Sequence, residues 1–178
     1  DTDKKLACIT LDFEEDYSRT KESRILKRRD ELSSLSCLFS SLKTPLSTFV
    51  TTEMLINYPE AAELVSTMSS DLHCHSHTHN MENFDSEYEI SKTKSTFEKY
   101  FGYSPKGYRA PRGVLYENDI EILKKYNFKF SSSVFPSYRP GVFNNLSYPT
   151  KPFLYGNGIM ELPFAVVSPM GLIFSQSY

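Results

Sequence analysis

Short apolar runs rich in β-branched and aromatic residues alternate along this chain with stretches whose apolar residues recur at helical spacing. That alternation restricts the fold more than any other feature. Leu6 to Leu11, Leu46 to Thr52, Asp71 to Cys74, Tyr108 to Ala110, Phe128 to Phe135 and Ile159 to Val167 read as strands. Between them, Ile25, Leu32, Leu35, Leu38, Phe39 and Leu42 form an amphipathic stripe over residues 22–42, and Pro45 follows as a stop. Further helices are predicted over Pro59 to Met68, Asp85 to Phe101 and Asn118 to Tyr126, and a long loop over Ser137 to Asn157. Asp85 or Ser86 is the expected N-cap of the third helix, and Gly102 its stop. Strand and helix in alternation predict an α/β fold of parallel strands with right-handed crossovers. Such a fold, whether closed into a barrel or left as an open sheet, gathers its ligands at the C-terminal ends of the strands.

The polar residues obey that rule. Asp12 to Asp16, His75 to His79 and Arg109 to Arg112 each follow a predicted strand. All 4 histidines of the chain lie at positions 73, 75, 77 and 79. Neutral imidazole is the commonest side-chain ligand for a transition metal, so this window reads as half of a metal site. His75 and His79 share a face on a helical turn and on a strand alike, whereas His73 and His77 join them only if the segment is fully extended. An affinity tag would be terminal and unbroken, and this window is neither.

At 178 residues the chain fits one domain able to bury its own core. Net charge is −2, which argues neither for nor against a polyanion, and there is no long basic run. Nucleic acid is therefore not an expected partner. No glycine-rich phosphate loop follows the first strand, and no stretch of apolar residues is long enough to span a membrane. The 3 cysteines, Cys8, Cys37 and Cys74, fit no disulfide framework and are each expected to be buried thiols. With no signal peptide visible, they lean the reading toward a reducing, cytoplasmic compartment, with secretion or a cell-surface location left open. The chain begins with Asp1, so it is expected to be an excised or processed piece.

Thr10-Leu11-Asp12-Phe13-Glu14, His75-Ser76-His77-Thr78-His79 and Tyr108-Arg109-Ala110-Pro111-Arg112-Gly113 occur in that order. This series resembles the polysaccharide deacetylases of the NodB-homology type, carbohydrate esterase family four. The resemblance runs from Leu6 to about Pro163. It implies a distorted, incomplete (β/α) barrel of about seven parallel strands, related to the TIM barrel. It implies Asp12 as general base, and Glu14, His75 and His79 as metal ligands. Arg109 would hold and polarise Asp12. Ser76 and Pro111 would complete motifs and shape the substrate site, together with Arg112. The acidic ligand is placed at Glu14 on motif spacing, with Asp16 as the alternative and Glu15 as a residue able to crowd the site. Tyr17, Tyr116 and Tyr138 read as partly buried aromatic surface, with a sugar groove as the alternative. Ser131 to Ser133 read as sheet residues.

One carboxylate and two imidazoles leave a coordination position open, as catalytic metal sites do. A divalent cation there would lower the pKa of bound water from about 15.7 toward 7. Zinc suits these ligands best, with iron, cobalt, nickel and manganese not excluded. The implied activity is removal of N-acetyl groups from amino sugars of a poly- or oligosaccharide, or of a glycolipid. Other readings keep the fold but cleave an O-acetyl ester, a formamide or a cyclic amide, or leave a silent carbohydrate- or metal-binding module. The family's late Leu/His pair, whose His is the general acid, has no counterpart, because no His follows His79. The single domain is therefore expected to be truncated at its C-terminus, or else to lack that acid.

Overall fold

Residue order within the strands sets which side chains enter the barrel, because successive side chains on a strand point to opposite faces. The computed structural model describes residues 7–15, 23–167 and 172–173. The described residues open on β1 (Ile9–Phe13), and Leu6 lies outside them. The predicted helix of residues 22–42 is broken at Arg28 into α1 (Arg24–Lys27) and α2 (Arg29–Ser41). Then come β2 (Leu46–Val50), α3 (Thr52–Asn57), α4 (Glu60–Met68) and β3 (Asp71–Cys74). α5 (Ser86–Phe101) leads to β4 (Gly107–Tyr108), a single 3₁₀ turn at Pro111–Gly113, α6 (Asp119–Lys125) and β5 (Phe130–Ser131).

The region expected to be a long loop holds β6 (Tyr138–Arg139), β7 (Phe143–Asn144) and β8 (Phe153–Leu154). β6 and β7 form a small antiparallel hairpin. β9 (Met160–Glu161), β10 (Val166–Val167) and β11 (Leu172–Ile173) complete the described elements.

Seven strands form one sheet in the order β1-β2-β3-β4-β5-β9-β8. β1 to β5 and β9 run parallel. The seventh, β8, is antiparallel to β9, because a short turn rather than a crossover joins them. This is the expected α/β architecture of the NodB type. Among the described residues β1 and β8 do not pair, so the described part of the barrel is open.

Register divides the sheet into two faces. Phe13, Val50, Cys74 and Tyr108 lie side by side and pack with Leu55, Val65, Ile90, Phe97 and Leu123 beneath the helices. Asp12, Phe49 and His73 form the neighbouring row on the opposite, inner face. Gly107 belongs to that inner row, and a Cβ there would lie 2.2 Å from the Phe130 ring. The missing side chain lets Phe130 cross over β4 and meet His73 edge-on, ring centroids 4.9 Å apart.

Three sequence expectations are corrected. Cys74 is buried as expected, but Cys8 and Cys37 are exposed. Cys8 precedes the edge strand, and Cys37 lies on the outer face of α2, beside Leu38, while Leu32, Leu35 and Phe39 turn inward. Leu38 and Leu42, assigned to the apolar stripe, face solvent for the same reason. Thr52, assigned to a strand, begins α3 instead. Its backbone N–H donates to Ser76 O at 3.3 Å, and that of Glu53 to His77 O at 2.9 Å, so tertiary acceptors override its β propensity.

α5 shows the expected termini. The Asp85 side chain accepts a hydrogen bond from Tyr88 N, and Gly102 takes the left-handed conformation at φ 75°. Asp85→Ala is expected to lower stability by about 1 kcal/mol, read as a lower urea midpoint with an unchanged denaturant slope.

Candidate metal and catalytic site

The period of two along each strand builds the site. Asp12 lies on the inner face of β1, so Glu14, two residues on, returns to that face at the barrel mouth. His75 follows the helix-facing Cys74, and Arg109 follows the helix-facing Tyr108, so both turn inward at the same level. Glu15 is directed the other way. Its carboxylate accepts from the Ser23 hydroxyl and from Arg24 N, so it caps α1 and does not crowd the site. Asp16 and Tyr17 lie outside the described residues.

Glu14, His75 and His79 converge. Glu14 Oε2 stands 3.0 Å from His79 Nε2 and 3.5 Å from His75 Nε2. One ligand atom from each of the three lies within 4.8 Å of the others. Asp12 Oδ2 is 3.8 Å from His75 Nε2. The other ring nitrogen of His75, Nδ1, donates to the Arg109 carbonyl at 2.9 Å. A carbonyl can only accept, so Nδ1 carries the hydrogen, and neutral His75 presents the Nε2 lone pair to the cluster. A carboxylate and two imidazoles whose free edges face one point fit a divalent cation.

Electrostatics follow the geometry. Burial pushes the Glu14 carboxyl up, but the His75 hydrogen bond and the charges of His75, His79 and Arg112 outweigh it, and the group titrates below its ordinary range. Burial pulls His75 down, yet Asp12 and Glu14 more than reverse this and hold its pKa above 6.5. Burial dominates at His79, whose pKa is lowered, with Arg112 adding to the effect and Glu14 opposing it.

The other two histidines serve elsewhere. His73 hydrogen-bonds Asp71 at 2.8 Å and packs against Phe49 and Phe130. His77 shares a 2.9 Å hydrogen bond with Thr52 Oγ1 on α3.

The turn from His75 to His79 is gripped on every side. Ser76 and His79 both adopt positive φ, 60° and 58°. Ser76 is fully buried; its hydroxyl accepts from His79 N at 3.1 Å and its carbonyl accepts from Thr93 Oγ1 at 2.8 Å. The buried carboxylate of Glu89, from α5, accepts His77 N at 2.7 Å, Thr78 N at 2.8 Å and Thr78 Oγ1 at 2.5 Å. Sequence reading missed Glu89. Its signal was an acidic residue on the inward face of an otherwise ordinary helix, between buried Ile90 and the N-cap.

Arg109 is 3 % exposed and held by four hydrogen bonds. Its Nη1 donates to Asp12 Oδ1 at 2.6 Å, and its Nη2 to Thr10 Oγ1 at 3.1 Å and Ser132 Oγ at 2.9 Å. Its Nε donates to Ser132 O at 2.9 Å. Phe49 and Phe164 stack on the guanidinium at 3.9 and 4.5 Å from their ring centroids. Burial lowers its pKa, with Asp12 opposing. Ser132 therefore does more than fill the sheet. Its segment is held in turn by buried Glu161, whose carboxylate accepts Ser133 N at 2.7 Å and Val134 N at 2.9 Å.

Pro111 is buried at the first position of the 3₁₀ turn, and Arg112 is exposed beside it at φ 54°.

The polysaccharide deacetylase family model matches residues 2–131, and the chain belongs to that family. No curated protein matches it by sequence. Among solved structures, a protein of Mycobacterium smegmatis assigned to the polysaccharide deacetylases is 19 % identical with a TM-score of 0.60, over 82 % of this chain and 51 % of that one. A family 4 carbohydrate esterase from Streptomyces lividans, in complex with acetate, is 19 % identical with a TM-score of 0.52, over 70 % and 60 %. A pseudoenzyme of the same esterase family from Bacillus anthracis is 15 % identical with a TM-score of 0.56, over 71 % and 42 %. The described fold thus spans about half the length of these proteins, which share its architecture.

Replacing Glu89 by Ala strands one buried and one half-buried N–H group of the histidine turn. The expected loss is about 2–3 kcal/mol of stability, measured by chemical denaturation; Glu89→Gln keeps an acceptor and is expected to lose less.

Proposed function

We propose that this chain carries the metal and base half of an N-deacetylase, hydrolysing the acetamide of an N-acetylated amino sugar in a glycan or glycolipid and releasing acetate. The observation that carries the reading is the convergence of Glu14, His75 and His79 on one point, with Asp12 beside them and Arg109 behind Asp12. Membership of the polysaccharide deacetylase family supports it.

In this reading Glu14, His75 and His79 hold a divalent cation, with zinc the best match to one carboxylate and two imidazoles. When bound, the ion supplies an activated water and a Lewis acid for the amide carbonyl. Asp12 is the general base. Its Oδ1 is committed to Arg109, which leaves Oδ2, on the His75 side, to accept the proton of the attacking water. Arg109 is a positioning residue: it fixes the Asp12 rotamer and offsets its charge. The stacked Phe49 and Phe164 shield the guanidinium, and the Asp12 carboxylate stays partly open to solvent.

Two experiments test this. Zinc binding by calorimetry is expected to weaken at least about 100-fold in Glu14→Ala, the scale on which losing a metal's supporting group acts. Asp12→Asn is expected to keep zinc while lowering acetate release from N-acetylglucosamine oligosaccharides roughly 10²–10⁴-fold. Bound zinc with no acetate released from any N-acetylated sugar would overturn the deacetylase reading and leave a metal-binding module.

The pH dependence follows from His75. It must lose its proton to coordinate, and its pKa in the folded protein stands above 6.5. Protons therefore still compete at and somewhat above that pH. Zinc affinity is expected to climb as pH rises through this window and to level off beyond it. The number of protons released, read from calorimetry in two buffers of different ionisation enthalpy, should fall toward zero on the plateau.

A further inference from the structure

Beside the histidine turn opens a cavity of about 510 Å³. Its wall includes Met81, two residues past His79, and Arg112, three residues past Arg109, together with Val114, Tyr116, Arg139 and Val142. Two exposed arginines thus line one hollow next to the candidate metal site, and the charge of Arg112 also reaches Glu14. Among the described residues no carboxylate lines it, and neither arginine forms a salt bridge.

Both arginines stand on segments that pack against one ring. Arg112 is exposed between buried Pro111 and buried Gly113, in a left-handed conformation that a residue with a side chain adopts only under constraint. The next residue, Gly113, closes on Phe135: a Cβ there would lie 2.3 Å from that ring. Arg139 sits on β6 opposite Phe143 of β7. Phe143 stacks on the same Phe135, centroids 5.9 Å apart and planes 8° from parallel, and Phe135 stacks in turn on Phe164 at 3.9 Å. The segments that carry the two exposed cations therefore rest on the ring stack that also supports Arg109.

Across Tyr116 the sign changes. That residue also lines a second cavity of about 380 Å³, whose wall carries Glu117 and Glu121 with Tyr148 and Tyr155 and no cation. A negative group is favoured in the first hollow and disfavoured in the second.

We infer that the Arg112–Arg139 cavity is a subsite for an oxyanion, a carboxylate or a phosphate, carried by the acetylated sugar or by the residue next to it. The planar guanidinium fork matches either group, and two of them lining one space select a charge rather than a neutral hydroxyl. The inference rests on the deacetylase reading and narrows its substrate class to acidic glycans.

Three probes separate the possibilities: neutral chitotetraose, chitotetraose bearing a 6-phosphate, and a tetrasaccharide alternating N-acetylglucosamine with glucuronic acid. Binding is measured by calorimetry with the wild-type chain, Arg139→Gln, Arg139→Glu and Arg112→Gln, and acetate release is followed in parallel. The wild type is expected to bind an acidic probe roughly tenfold more tightly than the neutral one, about the worth of one partly solvated charge-assisted contact. Which acidic probe gains identifies carboxylate or phosphate. The preference should shrink toward unity in both Gln variants and with rising salt, and fall below unity in Arg139→Glu. Equal affinity for all probes, binding to none, or a preference that survives Arg139→Glu overturns the subsite. A preference that depends on the arginines without acetate release leaves the subsite standing and overturns the deacetylase reading. Acetate release with no preference for charge does the reverse.

Discussion

The buried guanidinium of Arg109 is the tie on which the rest of the inner face depends. Arg109 follows β4, while its partners Thr10 and Asp12 lie on β1, three strands away in the sheet order. Strands in a flat sheet would stand about 14 Å apart over that interval. A 2.6 Å contact between side chains so separated requires the sheet to curl toward its own interior. A buried cation is tolerated only when its donors are satisfied. Here a carboxylate, two hydroxyls, a carbonyl and two aromatic faces satisfy it. The curl is thus linked to the same bonds that aim Asp12.

The histidine turn is the complementary element. Its backbone carbonyls at Ser76 and His77 accept from the first N–H groups of α3, and its own N–H groups at His77 and Thr78 are taken by Glu89 of α5. Neither helix contributes a candidate ligand. α3 donates backbone hydrogen bonds to the turn and α5 accepts from it through the Glu89 carboxylate, and together they hold the turn so that His75 and His79 face Glu14 from two directions. Strands supply the acidic residues and the arginine, and the clamped turn supplies the imidazoles.

Much of this was legible in the chain. The alternation of apolar runs announced parallel strands, and the polar tripods after the first, third and fourth runs marked the mouth where Asp12, Glu14, His75, His79 and Arg109 now meet. What could not be read depends on contacts between distant segments. Glu89 looks like any helix acid until the turn is packed against it. Phe164 and Phe135 look like core residues until an arginine is found on one and a glycine turn against the other. α3 begins in a Thr-Thr pair that local propensity assigns to a strand, and only carbonyls some 24 residues further on make it a helix. Cys8 and Cys37 were placed inside by periodicity, and their neighbours at the sheet edge and on the outer helix face left them in solvent.

Among the described residues, three of the five that carry a side chain at positive φ are Ser76, His79 and Arg112, all around one opening. Glycine would sit at each without steric conflict, yet none of the three is glycine. Glycine at these points would relax the backbone but would remove the hydroxyl that holds His79 N, the His79 imidazole and the Arg112 guanidinium. The architecture around the mouth is therefore a compromise recorded in the backbone itself, with relaxed geometry surrendered where a hydroxyl, an imidazole and a guanidinium stand.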